Sequence, residues 1–379
     1  MNAVYLDYNA GAPVRPEAAE AVSAALAAGG NPSSVHAAGR AARARVETAR
    51  AEVAALVCAA PAAVVFTSGG SEANALAIDS AVAAGARRLI VSAVEHPSVL
   101  ETARASGVET ELLPVNGDGV ADIAWLTQRL AAWDPLDERP FVALMAANNE
   151  TGVIQPAAEA AALVRAAGGW LHVDAIQAAG KLPVDFKALG ADTLSLSAHK
   201  LGGPQGVGAL VAGPRATISR RQHGGGQERG YRAGTENVPG IAGFGAASRA
   251  AARDMSVLLA QASWRDAAAA RLVAAGAVEV GAHVGRAPNT LCVAAPGWPS
   301  ELQVMALDLA GVMISAGAAC SSGKVKASPV LAAMGRHDLA ACAIRVSGGW
   351  ASRESDWIRF ADAWTEAHGR HAARRASAA

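Results

Sequence analysis

The chain is short of several things, and each shortage narrows what it does. It has no charge imbalance: Lys and Arg together number 33, as do Asp and Glu. No global field therefore draws it to nucleic acid or to an anionic membrane, and its partners must be recognised locally. It has no long hydrophobic run. Val53 to Phe66 is the longest nearly apolar stretch, is interrupted by Pro61, and is too short to span a bilayer. The opening Met1-Asn-Ala-Val-Tyr-Leu-Asp lacks the basic and apolar regions of a signal peptide, so a soluble, cytoplasmic protein is expected. Cysteine is scarce. Cys58, Cys292, Cys320 and Cys342 contain no Cys-x-x-Cys pair, which is neither a zinc spacing nor a disulfide framework. Cys58, Cys292 and Cys342 read as buried thiols acting as small apolar groups. Cys320 differs, because it lies in Ser315-Ala-Gly-Ala-Ala-Cys-Ser-Ser-Gly323, a run of small residues expected to form an exposed, mobile loop.

What is present is alanine and a regular alternation. The 379 residues are enough for two or three domains, and the 52% apolar content with only 4% aromatics suits helices packed closely on a sheet. From about Ala63 to Ala212, strand-like runs at Val64–Thr67, Leu89–Ala93, Val142–Ala146, Trp170–Val173, Thr193–Ser197 and Ala209–Val211 alternate with helical stretches such as Ser71–Ala84 and Ala157–Ala167. That order predicts an α/β domain with a mostly parallel sheet flanked by helices. A long helix is expected from about Ile241 to Ala275, and a smaller C-terminal α/β domain from Val278 to about Ala372. The boundary falls inside that helix: residues 15–255 form the large domain, and residues 1–14 with 256–379 the small one. No internal repeat is evident.

Ligands in such sheets bind beyond the carboxyl ends of the strands. Polar clusters fall at those ends: Ser68-Gly-Gly-Ser71, Glu95-His96, Asn148-Asn-Glu150, Asp174-Ala-Ile-Gln177 and Ser197-Ala-His-Lys200. A lysine at the end of a buried strand has its amine beside a desolvated cleft, where the ammonium is disfavoured and a Schiff base becomes accessible. The alternative for Lys200 is a strand-end side chain reaching solvent. Gly69-Gly70-Ser71 opens a helix whose free amides suit a phosphate, or is a tight turn capped by Ser71. Asp174 can hold a ring nitrogen protonated, or cap the next helix. His96 can stack on a ring, act as acid or base, or be structural. Arg345, within the apolar Ala343-Ile-Arg-Val-Ser347, needs a carboxylate, either a structural acid or that of a substrate. Asn31-Pro-Ser-Ser34 reads as a loop and helix start. His223-Gly-Gly-Gly-Gln-Glu-Arg-Gly-Tyr-Arg-Ala-Gly-Thr-Glu-Asn237 has no periodicity, but its charges argue against a passive spacer.

Taken together these stretches resemble the cysteine desulfurases, pyridoxal-phosphate enzymes of the class V aminotransferase group. The resemblance runs from Tyr5-Leu-Asp-Tyr-Asn-Ala10 to about Arg353. It is most specific in Phe66-Thr-Ser-Gly-Gly-Ser-Glu-Ala-Asn74, Asn148-Asn-Glu-Thr-Gly152, His172-Val-Asp-Ala-Ile-Gln177, Ser197-Ala-His-Lys200, Gly224-Gly-Gly-Gln-Glu-Arg-Gly230, Arg232-Ala-Gly-Thr235 and Gly317-Ala-Ala-Cys320. It implies the fold type I of pyridoxal-phosphate enzymes, with the cofactor joined to Lys200 as a Schiff base. By the same resemblance Asp174 would pair with the pyridinium nitrogen, His96 would stack on the ring, and Asn149 and Gln177 would hydrogen-bond the ring oxygen. Gly70, Ser71, Ser197 and His199 would bind the phosphate, which the residue matching Thr235 would reach from the second subunit of a homodimer. Asn31 and Arg345 would hold the carboxylate of L-cysteine. Lys200, assisted by His96, would shuttle the α-proton. The Cys320 thiolate would take the substrate sulfur as a persulfide for a sulfur acceptor or iron–sulfur cluster scaffold, leaving L-alanine. Selenocysteine lyase, another class V elimination enzyme and a catalytically silent interaction module on the same fold are the alternatives. The chain departs from the family pattern at Gly11 and Ala12, where relatives often carry two threonines. It departs again at Ser347-Gly-Gly-Trp350, where they often read Ser-Leu-Gly-Arg, and Gly348 is expected to loosen that strand end. The alanine- and arginine-rich end at Ala379 does not lead us to expect docking of the cluster scaffold through a C-terminal tail.

Overall fold

The apolar runs between Val64 and Ala212 form one seven-stranded sheet. A computed structural model describes residues 3–134, 139–317 and 327–378. After a short β1 (Val4–Tyr5) come β2 (Val64–Thr67), β3 (Arg88–Ser92), β4 (Glu109–Leu113), β5 (Phe141–Ala143), β6 (Trp170–Asp174), β7 (Thr193–Ser197) and β8 (Gly208–Ala212). The sheet order is β2-β8-β7-β6-β5-β3-β4. All neighbours from β7 to β4 are parallel, and β8 is antiparallel to both β2 and β7. Since β2 and β7 both oppose β8, they run the same way, and β2 ends on the same edge as the parallel strands.

Both faces of this sheet are covered, which is why its strands are apolar throughout rather than alternating. Ile90, Val142, Leu171, Val173 and Leu194 face one way, against a layer that includes α1 (Pro16–Ala28), α2 (Ala37–Leu56) and a helix from Val238 to Arg253. Leu89, Val91, Phe141 and Ala143 face the other way, against α3 (Gly70–Ala83) and α4 (Pro97–Ala105). The alternation along each strand is the two-residue period of a pleated chain. β4 is the strand that apolar patterning misses. It lies at the sheet edge, and its Glu109 and Glu111 are ion-paired with Arg88 of β3.

The helices α5 (Ile123–Ala131), α6 (Ala157–Ala166) and the single turn α7 (Phe186–Leu189) complete this layer. The long helix expected over Ile241–Ala275 is two helices, α8 (Val238–Arg253) and α9 (Met255–Ala274), broken at Asp254. Asp254 caps α8 with its own amide on the Ala250 carbonyl, and its carboxylate takes the buried Arg15 guanidinium at 2.5 Å. Beyond it, β9 (Val278–Glu279), β10 (Thr290–Ala294), β12 (Ser315–Ala316) and β13 (Ala343–Ser347) make an antiparallel sheet in the order β12-β13-β10-β9. Parallel pairing joins β1 to β11 (Val312–Met313). With α10 (Ser300–Leu309), the turn α11 (Pro329–Ala333) and α12 (Glu354–Ala378), these elements enclose a second core around Trp298, Trp357, Phe360 and Trp364. These four large aromatics give the smaller core its volume.

The N-terminal arm runs between the two sheets. Asp7 bridges to Ser347, the Ala12 amide donates to the His199 carbonyl at 2.8 Å, and the Trp350 indole donates to the Pro13 carbonyl at 2.9 Å. The divergent Gly348 does not loosen the strand end. Its N–H and C=O both pair with Asn289, and a Cβ there would lie 2.2 Å from Gln261 Oε1. Cys58 corrects the expectation of a buried thiol. It follows the end of α2 in the left-handed region at φ 52° and its side chain is exposed, whereas Cys292 and Cys342 are buried as expected. Among the described residues, no helix is long and apolar enough to cross a membrane.

Candidate active site

Five strand ends deliver polar groups to one edge of the large sheet. β7 ends at Ser197 and turns through Ala198–Lys200, so the Lys200 amine projects over that edge. Its Nζ donates to the carbonyls of Asn9 (2.7 Å) and Ala10 (2.8 Å) of the N-terminal arm. Burial, reinforced by Arg345 and opposed by Asp7 and Asp174, lowers the Lys200 pKa from 10.5 to about 8. The solvent-reaching alternative therefore gives way to a strand-end amine held near neutrality.

Asp174 closes β6 and is almost fully buried. One carboxylate oxygen accepts from the Ile176 amide (2.9 Å), so it does order the next turn. The other accepts from Asn74 Nδ2 of α3 (2.8 Å). Burial raises its pKa, while these hydrogen bonds, His96 and Lys200 oppose that rise. His96 follows β3 and caps α4, its Nδ1 lying 3.1 Å from the Ser98 amide and 2.8 Å from Ser98 Oγ. The protein around it lowers its pKa and Lys200 adds to this, with Asp174 acting the other way. With Nδ1 accepting from the Ser98 amide, the neutral ring carries its proton on Nε2.

Asn74 was not picked out by sequence reasoning, yet it ties this edge together. Its amide nitrogen donates to Asp174 and to Ser98 Oγ (2.9 Å), and its oxygen lies 3.0 Å from Nε2 of the wholly buried His172. His172 Nδ1 in turn meets Thr193 Oγ1 at 3.0 Å, and Thr193 also accepts from the Trp170 indole. Burial alone holds the His172 pKa down at about 3. Glu95, beside His96, is buried with its pKa raised well above the ordinary range by burial and by Asp174. It accepts from the Met145 amide, and Asn148 Nδ2 donates back to the Val94 carbonyl at 3.0 Å, so two bonds tie the β3 end to the loop after β5.

Gln177 and Asn149 meet the same cluster through Asn9, another residue sequence reasoning missed. Gln177 Nε2 donates to the Asn9 carbonyl (2.9 Å), and Asn9 Nδ2 donates to the Asn149 carbonyl (3.3 Å) and to Thr290 Oγ1 (3.0 Å). Arg345 arrives from β13. Its Nη2 pairs with Asp7 Oδ1 at 2.8 Å and its Nη1 donates to the Asn149 carbonyl, leaving Nε buried without a partner among the described residues. The acid that sequence reasoning required for Arg345 is thus supplied by the arm.

Gly70 and Ser197 form a close approach. A Cβ on Gly70 would stand 2.2 Å from Ile176 Cδ1 and 3.3 Å from Ser197 Cβ, so a side chain there would have to displace the Ile176 tip and crowd β7. Ser71 does not cap α3. The N-cap is Gly69, without a side-chain cap bond, and Glu72 reaches back to the Ser68 amide at 2.7 Å. The first-turn amides of α3 are left for an anion. His199 lies beside Gly11, and burial with the nearby Lys200 and Lys181 lowers its pKa to about 4. Two expected members stand apart. The exposed Asn31 accepts from the Ser33 amide (2.9 Å), and Thr235 is likewise exposed. Their segments share a separate cavity of about 450 Å³, lined by Pro32, Ser33, Gln227, Glu228 and Glu236 among others. Cys320 lies outside the described residues.

A poised amine, a buried carboxylate and an uncapped helix start with a glycine close approach are what an aldehyde-bearing pyridine phosphate requires. The residues fit that group. The chain belongs to the class-V aminotransferase family, whose model matches residues 4–359, and the family's cofactor is pyridoxal phosphate. Within that family, its similarity is to cysteine desulfurases. It is 42% identical to the "Cysteine desulfurase" of Cereibacter sphaeroides over 348 residues, covering 88% of this chain and 87% of the relative. It is 43% identical to that of Frankia sp. over 363 residues, 88% of this chain and 83% of the relative. Among solved structures, a NifS-like protein from Rickettsia africae superposes with a TM-score of 0.88 at 30% identity, covering 97% of this chain and all of the other. The fold type I architecture expected from the sequence is the one observed.

Proposed function

We propose that this enzyme is a cysteine desulfurase that converts L-cysteine to L-alanine and leaves the sulfur on Cys320 as a persulfide. The observation that carries this reading is the convergence of Lys200, Asp174, His96 and Gln177 on one strand edge, with the amine held near pH 8. Pyridoxal phosphate, when bound, supplies an electron sink that acidifies the substrate α-hydrogen. Lys200 would anchor it. Asp174 would hold the pyridine N–H, His96 would cover the ring, and Asn149 with Gln177 would meet the ring oxygen. Gly70, Ser71, Ser197 and His199 would hold the phosphate, with Thr235 contributed by a second copy of the chain. The exposure of Thr235 on its own subunit, where a second copy can reach it, supports a homodimer. Arg345, with a spare Nε, and Asn31 receive the substrate carboxylate.

Lys200 Nζ, when neutral, would take the α-proton and hold it close to the reacting carbon. The Cys320 thiolate forms an S–S bond to the substrate sulfur as the C–S bond breaks. The bonding pair stays with carbon, which is protonated and leaves as alanine. The persulfide then passes to a thiolate of a sulfur acceptor or cluster-scaffold protein in the cytoplasm. We assign residues 15–255 to a large cofactor domain and residues 1–14 with 256–379 to a small one. Supporting this division, the seven-stranded sheet lies wholly within the first and the smaller sheets are built from the second. The test is turnover. L-Cysteine should yield alanine and sulfide in the presence of a thiol reductant, whereas turnover of selenocysteine without cysteine would move the assignment to a selenocysteine lyase.

A further inference from the structure

Lys181 is a buried amine that the proposed reaction leaves unused. It lies four residues beyond Gln177 and is only 4% exposed, and burial, with the Lys200 and Arg345 charges, holds its pKa well below the usual lysine range. Its Nζ donates to Gln177 Oε1 at 2.5 Å and to Asn9 Oδ1 at 2.8 Å. Among the described residues no carboxylate pairs with it. Such a group dictates which end of each neighbouring amide faces it. A flip of Gln177 would take its carbonyl oxygen away from the Nζ hydrogens that now donate to it, and would set that oxygen against the Asn9 carbonyl, acceptor against acceptor. The Asn9 carbonyl accepts from both Gln177 Nε2 (2.9 Å) and Lys200 Nζ (2.7 Å), so the end of Gln177 remote from Lys181 is the end that shares an oxygen with the catalytic amine.

We propose that Lys181 is a positioning residue that locks the Gln177 amide with its NH2, not its carbonyl, presented to the Lys200 cleft. The same contact turns Asn9 so that its NH2 holds the Asn149 loop and Thr290. This rests on the reading that Lys200 holds pyridoxal phosphate and that Gln177 meets its ring oxygen. With the lock, the ring oxygen receives a donor and is stabilised as an anion. Without it, the oxygen becomes more basic and shares a proton more tightly with the Schiff-base nitrogen.

The experiment uses the holoenzyme and two variants. Lys181→Met keeps the length and apolar stem but offers no donor, and Lys181→Gln restores a donor without the charge. The readout is the pH midpoint of the visible absorption band of the bound cofactor, with thermal unfolding followed in parallel. The Met variant should move the midpoint upward by about tenfold in proton affinity, the worth of one hydrogen bond to a charged oxygen. The Gln variant should return most of the way to the native midpoint. Equal shifts in both variants would reduce Lys181 to a charge effect and overturn the proposal, as would unmoved midpoints in folded protein. If Lys181→Met does not fold, Lys181→Gln still decides: a native midpoint supports the lock, and a full tenfold shift overturns it. A native protein with no borohydride-reducible band would instead sink the cofactor reading itself, and the proposal with it.

Discussion

A carbonyl carbon is attacked by a neutral amine, so on the proposed anchoring by Lys200 the pKa of that amine sets when the chain would capture its cofactor. Burial lowers that pKa to about 8, with the Arg345 charge acting in the same direction. The neutral fraction therefore rises steeply between pH 7 and 8 rather than near 10.5. Cofactor-free protein mixed with pyridoxal phosphate should gain its visible band at a rate that increases with pH and levels off above about 8. A rate still climbing tenfold per unit at pH 9 would contradict this. Lys200, Asp174 and His96 were legible because each sits where a recognisable strand stops. Asn9 and Lys181 were not. One lies in an arm without periodicity and the other in a turn, and only the folded chain brings them together, across 172 positions of sequence.

Elements hold this edge in place through contacts that patterning does not reveal. Gly208 begins β8, and a Cβ there would lie 2.5 Å from the Gly69 carbonyl carbon and 2.7 Å from the Leu196 oxygen. Both are backbone atoms, so neither can rotate away. Gly208→Ala should push the start of α3 from β7, cost about 1–3 kcal/mol of stability, and weaken retention of the cofactor phosphate. Denaturant unfolding and cofactor dissociation check the two effects, and native values for both would refute the close-approach argument. The glycine-rich segment is anchored by a different device. Glu228 makes a two-pronged pair with Arg50 at 2.7 and 2.8 Å and also accepts from the Phe66 amide of β2. Glu228→Ala would leave the buried Arg50 guanidinium with only the half-exposed Glu47 and the Val64 carbonyl, and is expected to cost about 1–3 kcal/mol, measurable as a lowered denaturant midpoint. The sequence marked this segment as more than a spacer because of its charges. It could not show that Glu228 accepts the left-handed backbone (φ 45°) to reach Arg50.

For the whole molecule, the six buried strands of the large sheet were readable from apolar runs because both faces are covered. The charged edge strand β4 and the break at Asp254 were not, since ion pairs rather than apolar burial define them. Buried titratable groups also set how the molecule tolerates acid. His172 has a folded pKa of about 3 against 6.5 for a free histidine. Between those values the unfolded chain takes a proton that the folded chain refuses. Its contribution is therefore intact above pH 6.5 and is lost as pH falls toward 3. Glu95 and Asp174, with raised values, act in the opposite sense. His172→Gln should flatten the loss of stability between pH 6.5 and 4 in denaturation curves taken at stepped pH, and parallel curves would contradict this.

The most direct measurement of the central claim is mass spectrometry of the holoenzyme after one addition of L-cysteine without reductant, with alanine quantified in the same sample. The reading predicts one alanine per active site and one extra sulfur on the peptide bearing Cys320. A Cys320→Ser variant should keep the cofactor band and form no such adduct. Alanine formed at the native rate by that variant, or sulfur recovered on Cys58 instead, would contradict it.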